Sequence, residues 1–456
     1  MTRNIVQIVA DDLGFGDLGH FNGGVTHTPN IDRLFQKGAT FTNAFSASAV
    51  CAPARAALLT GRYPHRTGAI DTLEGRGLDR IALRERTAAD AFGAAEYRTG
   101  LIGKWHNGAL DPRFSPTARG FEHFIGFQGG WLDYWEWTIS DNGASRTKDG
   151  RYLTDVWAEA ASSFVADQDP RPFYLMLAFN APHFPLQAHE ADLASVRSRV
   201  NVTTEVATIY AMVEAMDRAV GDVLAALEAS GRLSDTLVLF TSDNGPHLGG
   251  ASARPNLNLR DFKGTVYEGG IHVPFAAYCP GTIAEGQAID STLHFVDVLP
   301  TMLESTGVEL AEGAQHVDGR SVWKTLAAAQ VENPVRCWQW NRYSPVHNCN
   351  AAIREGRWKL VLPPIPEAMV VTPEDLEMDG DLKYRPGMHT TIRLGEPARS
   401  VPTDNEAELY DMEVDPGETT DLAGQHPKIV ARLLLQLRGW FDSVEADRAI
   451  GLQSNL

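Results

Sequence analysis

The sequence predicts an α/β fold: a large, mostly parallel sheet flanked by helices, followed by a smaller carboxy-terminal α+β subdomain. Three observations predict it. Strand-sized apolar runs alternate with helix-periodic segments through the first three-quarters of the chain, the pattern of a sheet built from βαβ units. Polar residues of unusual density stand just after several of those runs, where parallel α/β sheets bind ligands. Past about Asn333 the pattern changes to short strand-like pieces and a terminal helix, so the expected division is 1–333 and 334–456.

The clear strands are Ile5 to Val9, Phe173 to Phe179 and Thr236 to Phe240. The strongest helix runs from about Thr204 to Ser230, with Val206, Ile209, Val213, Met216, Val220, Val223, Leu224 and Leu227 at helical spacing and Gly231 as its stop. A shorter helix follows Asn30, read as its cap, with Ile31, Leu34 and Phe35 turned inward and Gly38 ending it. Beyond Asn333, Ala351 to Leu362 and Glu408 to Tyr410 read as strands, and Pro427 to Val444 as the terminal helix. Between them Pro363 to Arg399, rich in Pro, Gly and charge, reads as a long insertion or loop.

At 456 residues the chain can bury a sizeable core, and 43% apolar with 21% charged residues is ordinary globular composition. A net charge of −18 excludes nucleic acid as a partner, because phosphate binding needs clustered Lys and Arg. An anionic ligand therefore requires a local basic pocket. No run approaches the roughly 18 apolar residues of a membrane span. Ile5 to Val9 is too short for a secretory core and is followed by acids, so the sequence as written reads as cytoplasmic, and as periplasmic or secreted if a signal preceded it. The four cysteines, at 51, 279, 337 and 349, are too few for a disulfide scaffold, although Cys337 and Cys349 could pair in an oxidising compartment.

Chemistry-bearing residues gather after the strands: Asp11-Asp12, then Lys104 and His106, then His183, then Asp243-Asn244. Asp11, Asp12, Asp243 and Asn244 are hard oxygen donors, which suit Ca²⁺ or Mg²⁺ better than Zn²⁺ or copper. A single Asp-Asp or Asp-Asn pair is more often a turn or a cap. Two such pairs, each ending a strand, point to a shared cation. Cys51-Ala52-Pro53-Ala54-Arg55 opens a helix that Gly61 closes, placing Cys51 at a helix amino terminus with Arg55 one turn on. That location favours an anion or nucleophile at position 51, while a buried structural cysteine fits the residues equally well.

The run Cys51-x-Pro53-x-Arg55 followed by Leu59-Thr60-Gly61-Arg62 resembles the signature of the formylglycine-dependent sulfatases, in the alkaline-phosphatase-like superfamily. It is joined in the family's order by Ala10-Asp11-Asp12-Leu13-Gly14, Gly103-Lys104-Trp105-His106, Ala181-Pro182-His183, Ser242-Asp243-Asn244-Gly245, and Lys263-Gly264 before Glu268-Gly269-Gly270. Glu408-Leu409-Tyr410-Asp411 and Asp415-Pro416-Gly417-Glu418 are also similar to the family.

The resemblance implies a sulfuric ester hydrolase in which Cys51 is converted to formylglycine by a formylglycine-generating or anaerobic sulfatase-maturing enzyme. It implies that Asp11, Asp12, Asp243, Asn244 and residue 51 share the cation, Ca²⁺ or Mg²⁺. One hydroxyl of the hydrated aldehyde attacks sulfur, and the second then expels sulfate. Arg55 is assigned to holding the diol, Lys104 and Lys263 to sulfate oxygens, His106 to the base for elimination, and His183, with Lys263, to protonating the leaving oxygen. These cations supply the basic pocket that a chain of charge −18 requires. Asn107 departs from the family, where an apolar residue commonly follows the histidine, and leaves open whether a substrate hydroxyl is read there.

Two aromatic stretches, Trp131 to Trp137 and Trp338 to Tyr343, could stack on a sugar or aryl ring, although core packing is the more frequent use of such residues. The expected partner is a small sulfated saccharide, with an aryl sulfate second. A phosphate or phosphonate ester hydrolase of the same superfamily, and a sulfated-glycan binder with unmodified Cys51, are the other readings.

Overall fold

The computed structural model describes residues 3–247, 254–328, 333–385 and 387–453. Ten strands form the larger sheet: β1 (Asn4–Ala10), β2 (Ala39–Phe45), β3 (Arg98–Lys104), β4 (His123–Phe127), β5 (Thr138–Asp141), β6 (Ala144–Thr147), β7 (Phe173–Ala178), β8 (Thr236–Ser242), β9 (Phe275–Tyr278) and β10 (Gln287–His294). Their order is β10-β2-β9-β8-β1-β7-β3-β4-β5-β6. The central run β8-β1-β7-β3-β4 is parallel throughout, as is the β10–β2 pair. The sheet is nevertheless mixed, because β9 and the β5–β6 hairpin pair antiparallel.

Strand β1 is buried along its whole length. Its side chains alternate between two cores, as the pleat requires. Val6, Ile8 and Ala10 join the cluster under the helices Leu153–Ala166 and Thr204–Ala229, while Ile5 and Val9 join that under Cys51–Thr60 and Val298–Thr306. The long helix matches its periodicity, and the side chain of Thr203 accepts the Val206 N–H as its cap. The short helix is Pro29–Lys37, with Thr28 in the cap position. Asn30 is thus a correction: it lies inside the first turn, and its amide donates to Asp217 at 2.8 Å.

Beyond residue 333, β11 (Arg336–Gln339), β12 (Ala351–Glu355), β13 (Trp358–Leu362) and β14 (Glu408–Asp411) form a four-stranded antiparallel sheet. The terminal helix Pro427–Gln453 packs Leu433 and Leu437 on this sheet, and Val444 into the core of the larger one. The expected loop at Pro363 to Arg399 is corrected in part, because it contains the helices Pro366–Met369 and Pro373–Tyr384. Cys337 and Cys349 are free. They face different interiors: Cys337 lies under the terminal helix, and Cys349 lies against Ile365 and Ala368. No helix among the described residues is long and apolar enough to cross a membrane.

Candidate active site

Strand register brings the chemistry together. Ala10 stands opposite Ser242, so the next residues, Asp11 and Asp243, leave neighbouring parallel strands side by side. On the other flank Val9 is level with Ala178 and Ala178 with Gly103, which brings the turn holding His183 and the end of β3, Lys104, to the same sheet edge. The Asp11 N–H donates to the Ala181 carbonyl at 3.0 Å and the Asp243 N–H to the Ala10 carbonyl at 3.0 Å, fixing three strand ends to one another.

Asp11, Asp12, Asp243 and Asn244 are buried. Asp11 Oδ1, Asp12 Oδ2 and Asn244 Oδ1 have no hydrogen-bond partner. Orphaned buried oxygens are costly, and carboxylate and amide oxygens are the donors a hard cation takes. Ligand atoms of Asp11, Asp12, Cys51 and His183 lie within 4.8 Å of one another. The residues present therefore fit a bound divalent cation. Asp12 also holds a left-handed backbone, φ 64°, a strain typical of functional turns.

Cations ring the acids. Lys104 Nζ donates to Asp11 Oδ2 at 2.7 Å and Lys263 Nζ reaches Asp12 Oδ1 at 2.6 Å. Arg55 Nε donates to Asp243 Oδ2 at 2.9 Å, and its Nη1 to the Lys104 carbonyl at 3.3 Å. Burial pushes the Asp11 carboxyl up to about 8, with Lys104 opposing and Asp243 and Asp12 adding to the rise. Burial also penalises Asp12, yet Lys263 and His183 hold it well below the usual carboxylate range. Burial opposes the Lys263 charge, but Asp12 keeps that ammonium firmly protonated.

Cys51 is the first residue of the helix Cys51–Thr60, after extended Val50, and Gly61 closes the helix at φ 66°. Its thiol is buried, which pushes the Cys51 pKa up, and accepts from Lys263 Nζ at 3.4 Å. Asn107 donates to the Ala52 carbonyl at 2.8 Å and the Asp79 carbonyl at 3.2 Å and is fully buried. It is therefore a tether for the start of this helix.

His183 Nδ1 pairs with the Phe184 carbonyl at 2.8 Å, which directs Nε2 toward Asp12 Oδ2, 3.7 Å away. Burial and Lys263 hold His183 well below its usual range, and burial, Lys104 and Lys383 do the same for His106.

Beside these groups lies a cavity of about 310 Å³ lined by Cys51, His106, His183 and Lys263 together with Trp131, Trp340, Arg342 and Asp379. Only one tryptophan of each aromatic stretch reaches it. Tyr134, Trp137 and Trp338 are buried in the cores. Glu74, Leu376 and Asp379 were not singled out in the sequence. No local motif marks them, since Asp379 arrives on the helix Pro373–Tyr384, within the stretch expected to be a loop.

Fold and site together set buried lysines and an arginine beside a cluster of acids at the end of a largely parallel sheet. A family model described as Sulfatase matches residues 3–308. The chain is 31% identical to arylsulfatase A from Homo sapiens over 94% of this chain and 86% of that protein. It is 31% identical to N-acetylgalactosamine-6-sulfatase from Mus musculus over 74% of this chain and 69% of that protein. A crystal structure of Ps i-CgsB in complex with k-i-k-neocarrahexaose superposes with a TM-score of 0.80 at 29% identity, over 96% of this chain and 93% of that one. The chain belongs to the sulfatase family and is a sulfuric ester hydrolase.

Proposed function

We propose that this sulfatase removes sulfate from a saccharide monoester, using formylglycine derived from Cys51 and a bound Ca²⁺, with Mg²⁺ as the other candidate cation. The observation that carries the reading is the convergence of Cys51, Lys263, Lys104 and the orphaned oxygens of Asp11, Asp12 and Asn244 at one sheet edge. Asp11, Asp12, Asp243, Asn244 and residue 51 would hold the cation, which when bound lowers the pKa of a nearby hydroxyl and screens sulfate charge. Formylglycine supplies a hydrated aldehyde as nucleophile in place of the thiol.

The chain's own residues do the rest. Lys104 and Lys263 bind sulfate oxygens, and Arg55 orients residue 51 through its fixed contact with Asp243. His106 accepts a proton from residue 51. Lys263, kept charged by Asp12, stands with His183 on the side of the leaving oxygen. Burial of this constellation excludes water and strengthens each contact.

A saccharide is favoured over an aryl sulfate because the cavity lining combines Trp131 and Trp340 with Arg342 and Asp379, a mixture suited to a ring bearing hydroxyls. The relatives named for N-acetylgalactosamine-6-sulfate and the carrahexaose complex point the same way. The change from the ten-stranded to the four-stranded sheet supports reading 1–333 and 334–456 as two subdomains.

The test is peptide mass spectrometry across residue 51 on protein coexpressed with a formylglycine-generating enzyme, followed by sulfate release from matched sulfated saccharides and aryl sulfates. The expected results are a loss of about 18 Da from the thiol and faster turnover of a saccharide. Turnover of aryl sulfates alone overturns the substrate reading, and an active Cys51→Ala protein overturns the nucleophile.

A further inference from the structure

His106 is held by more than its place after β3. Its backbone is left-handed at φ 54°, and its N–H donates to the Gln128 carbonyl at 3.1 Å. The ring is buried, with Nε2 3.3 Å from the Thr72 carbonyl and 3.7 Å from Glu74 Oε1. Both neighbours of Nε2 are acceptors, so this nitrogen carries the proton of the neutral ring. Nδ1 is buried without a hydrogen-bond partner.

Glu74 is itself pinned. The Gly130 N–H donates to Glu74 Oε1 at 2.5 Å, and Lys383 pairs with the same oxygen. Glu74 and Lys383 side chains are only 3% and 4% exposed, too buried for an incidental surface pair. The facing loop is shaped to this cluster. A Cβ at Gly130 would lie 2.6 Å from His106 Cε1, and one at Gly129 would lie 2.9 Å from Lys383 Nζ. Lys383 arrives on the helix Pro373–Tyr384, from beyond β13.

We propose that Glu74 is a positioning residue which, with the Thr72 carbonyl, holds His106 in its Nε2–H tautomer and leaves Nδ1 as the basic nitrogen, with Lys383 fixing Glu74 in place. The inference rests on the role given to His106 above. In that role Nδ1 accepts one proton from residue 51 while Nε2 keeps its own, and the imidazolium so formed faces the Glu74 carboxylate. Lys104, Lys383 and Arg55 all weigh against a charge on the ring. Glu74, 3.7 Å from Nε2, is the carboxylate placed to offset them when the ring charges.

The tautomer is readable without turnover, from the ¹⁵N resonances of labelled histidine, with His106 assigned by comparison with His106→Gln. A pyrrole-like Nε2 and a pyridine-like Nδ1 are expected, and the reverse pattern overturns the proposal. Glu74→Gln offers an amide that can turn its NH₂ toward Nε2. It should disturb that pattern and lower kcat about 10- to 100-fold, the scale for losing a group that orients a histidine, with KM little changed. Should Glu74→Gln not fold, Lys383→Met makes the same test from the other side of the carboxylate. A folded variant with wild-type kcat and wild-type ring signals overturns the proposal. Sulfate release by a protein whose His106 carries its proton on Nδ1 refutes this inference and spares the proposed function. Absence of release from protein bearing the expected mass change at residue 51 refutes the function, while the ring signals still report the tautomer.

Discussion

Lys263 touches both the Cys51 sulfur and Asp12, so its loss removes a sulfate ligand and leaves a buried carboxylate with one fewer cation. Lys263→Ala should fold and lower kcat by about 10²- to 10³-fold, the usual cost of one preorganised charge, as measured on the preferred sulfated saccharide. The orphaned oxygens of Asp11, Asp12 and Asn244 predict that Ca²⁺ raises the melting temperature of chelator-treated protein, equivalent to about 2.7 kcal/mol at a hundredfold excess over Kd. Asp11→Asn should reduce that rise. Asp79 is fully buried, with no hydrogen-bond partner beyond its own backbone amide. Burial, then Glu74, push its carboxyl up to about 7. A raised folded pKa gives stability that is present below about pH 4 and lost as pH climbs through 7. Asp79→Asn should therefore match wild type near pH 4 and exceed it above pH 7, by at most about 4 kcal/mol, in denaturant melts at both pH values. The strand-ending acids were legible because a carboxylate after a β-strand already has a functional address. Asp79 and Glu74 were not, since their meaning comes from partners such as Lys383, which only folding supplies.

The helix Pro373–Tyr384 shows why one element escaped the sequence reading. Its start signals are present: Thr372 accepts the Asp375 N–H, and Pro373 opens the first turn. Its inward face carries Asp375, Met378 and Asp381, so no apolar stripe betrays it. The helix docks through polar contacts. Asp375 takes Arg76 Nε at 2.9 Å and Tyr343 Oη at 2.7 Å, and Lys383 reaches Glu74. By contrast Thr204–Ala229 buries a periodic apolar face and could be read within a residue of its ends. Because the polar helix supplies Leu376 and Asp379 to the cavity and Lys383 to Glu74, loosening it should weaken substrate binding and lower kcat together. Asp375→Ala leaves Arg76 without its carboxylate and should cost the docked state about 3–5 kcal/mol. The expected outcome is a several-fold rise in KM for a saccharide with a lower kcat, and faster amide exchange across 373–384, with the ten-stranded sheet still protected. Unchanged exchange would mean that other contacts hold the helix.

At the scale of the whole molecule, the two sheets are joined by a buried ion triad. Lys359, on β13, is fully buried, with Nζ 2.8 Å from Glu268 Oε1 and 2.8 Å from Glu418 Oε1. Glu418 Oε2 in turn accepts the Glu268 N–H at 2.7 Å. Glu268 opens the short helix Glu268–Ile271, five residues after Lys263, so the small sheet braces the segment that presents that lysine to the sulfate site. The motif ending in Glu418, legible only by resemblance, thereby gains a physical reason: it caps this turn and shares its lysine. Burial pushes Glu418 up to about 7 despite Lys359, while Glu268 lies below the usual range because Lys359 overcomes its burial. Lys359→Met leaves two buried carboxylates without a cation and should cost about 3–5 kcal/mol. The loss depends on pH with a definite sign. A carboxyl whose folded pKa is raised destabilises least when protonated, so the deficit should be large at pH 8 and shrink toward pH 5 as Glu418 takes up a proton. Adding Glu418→Gln to Lys359→Met removes one stranded charge and should recover part of the loss at pH 8 but little at pH 5. Denaturant melts of wild type, each single variant and the double variant at the two pH values decide it. A deficit independent of pH and unrelieved by Glu418→Gln would show that Lys359 acts through packing alone, and the brace between the sheets would then have to be sought in the terminal helix.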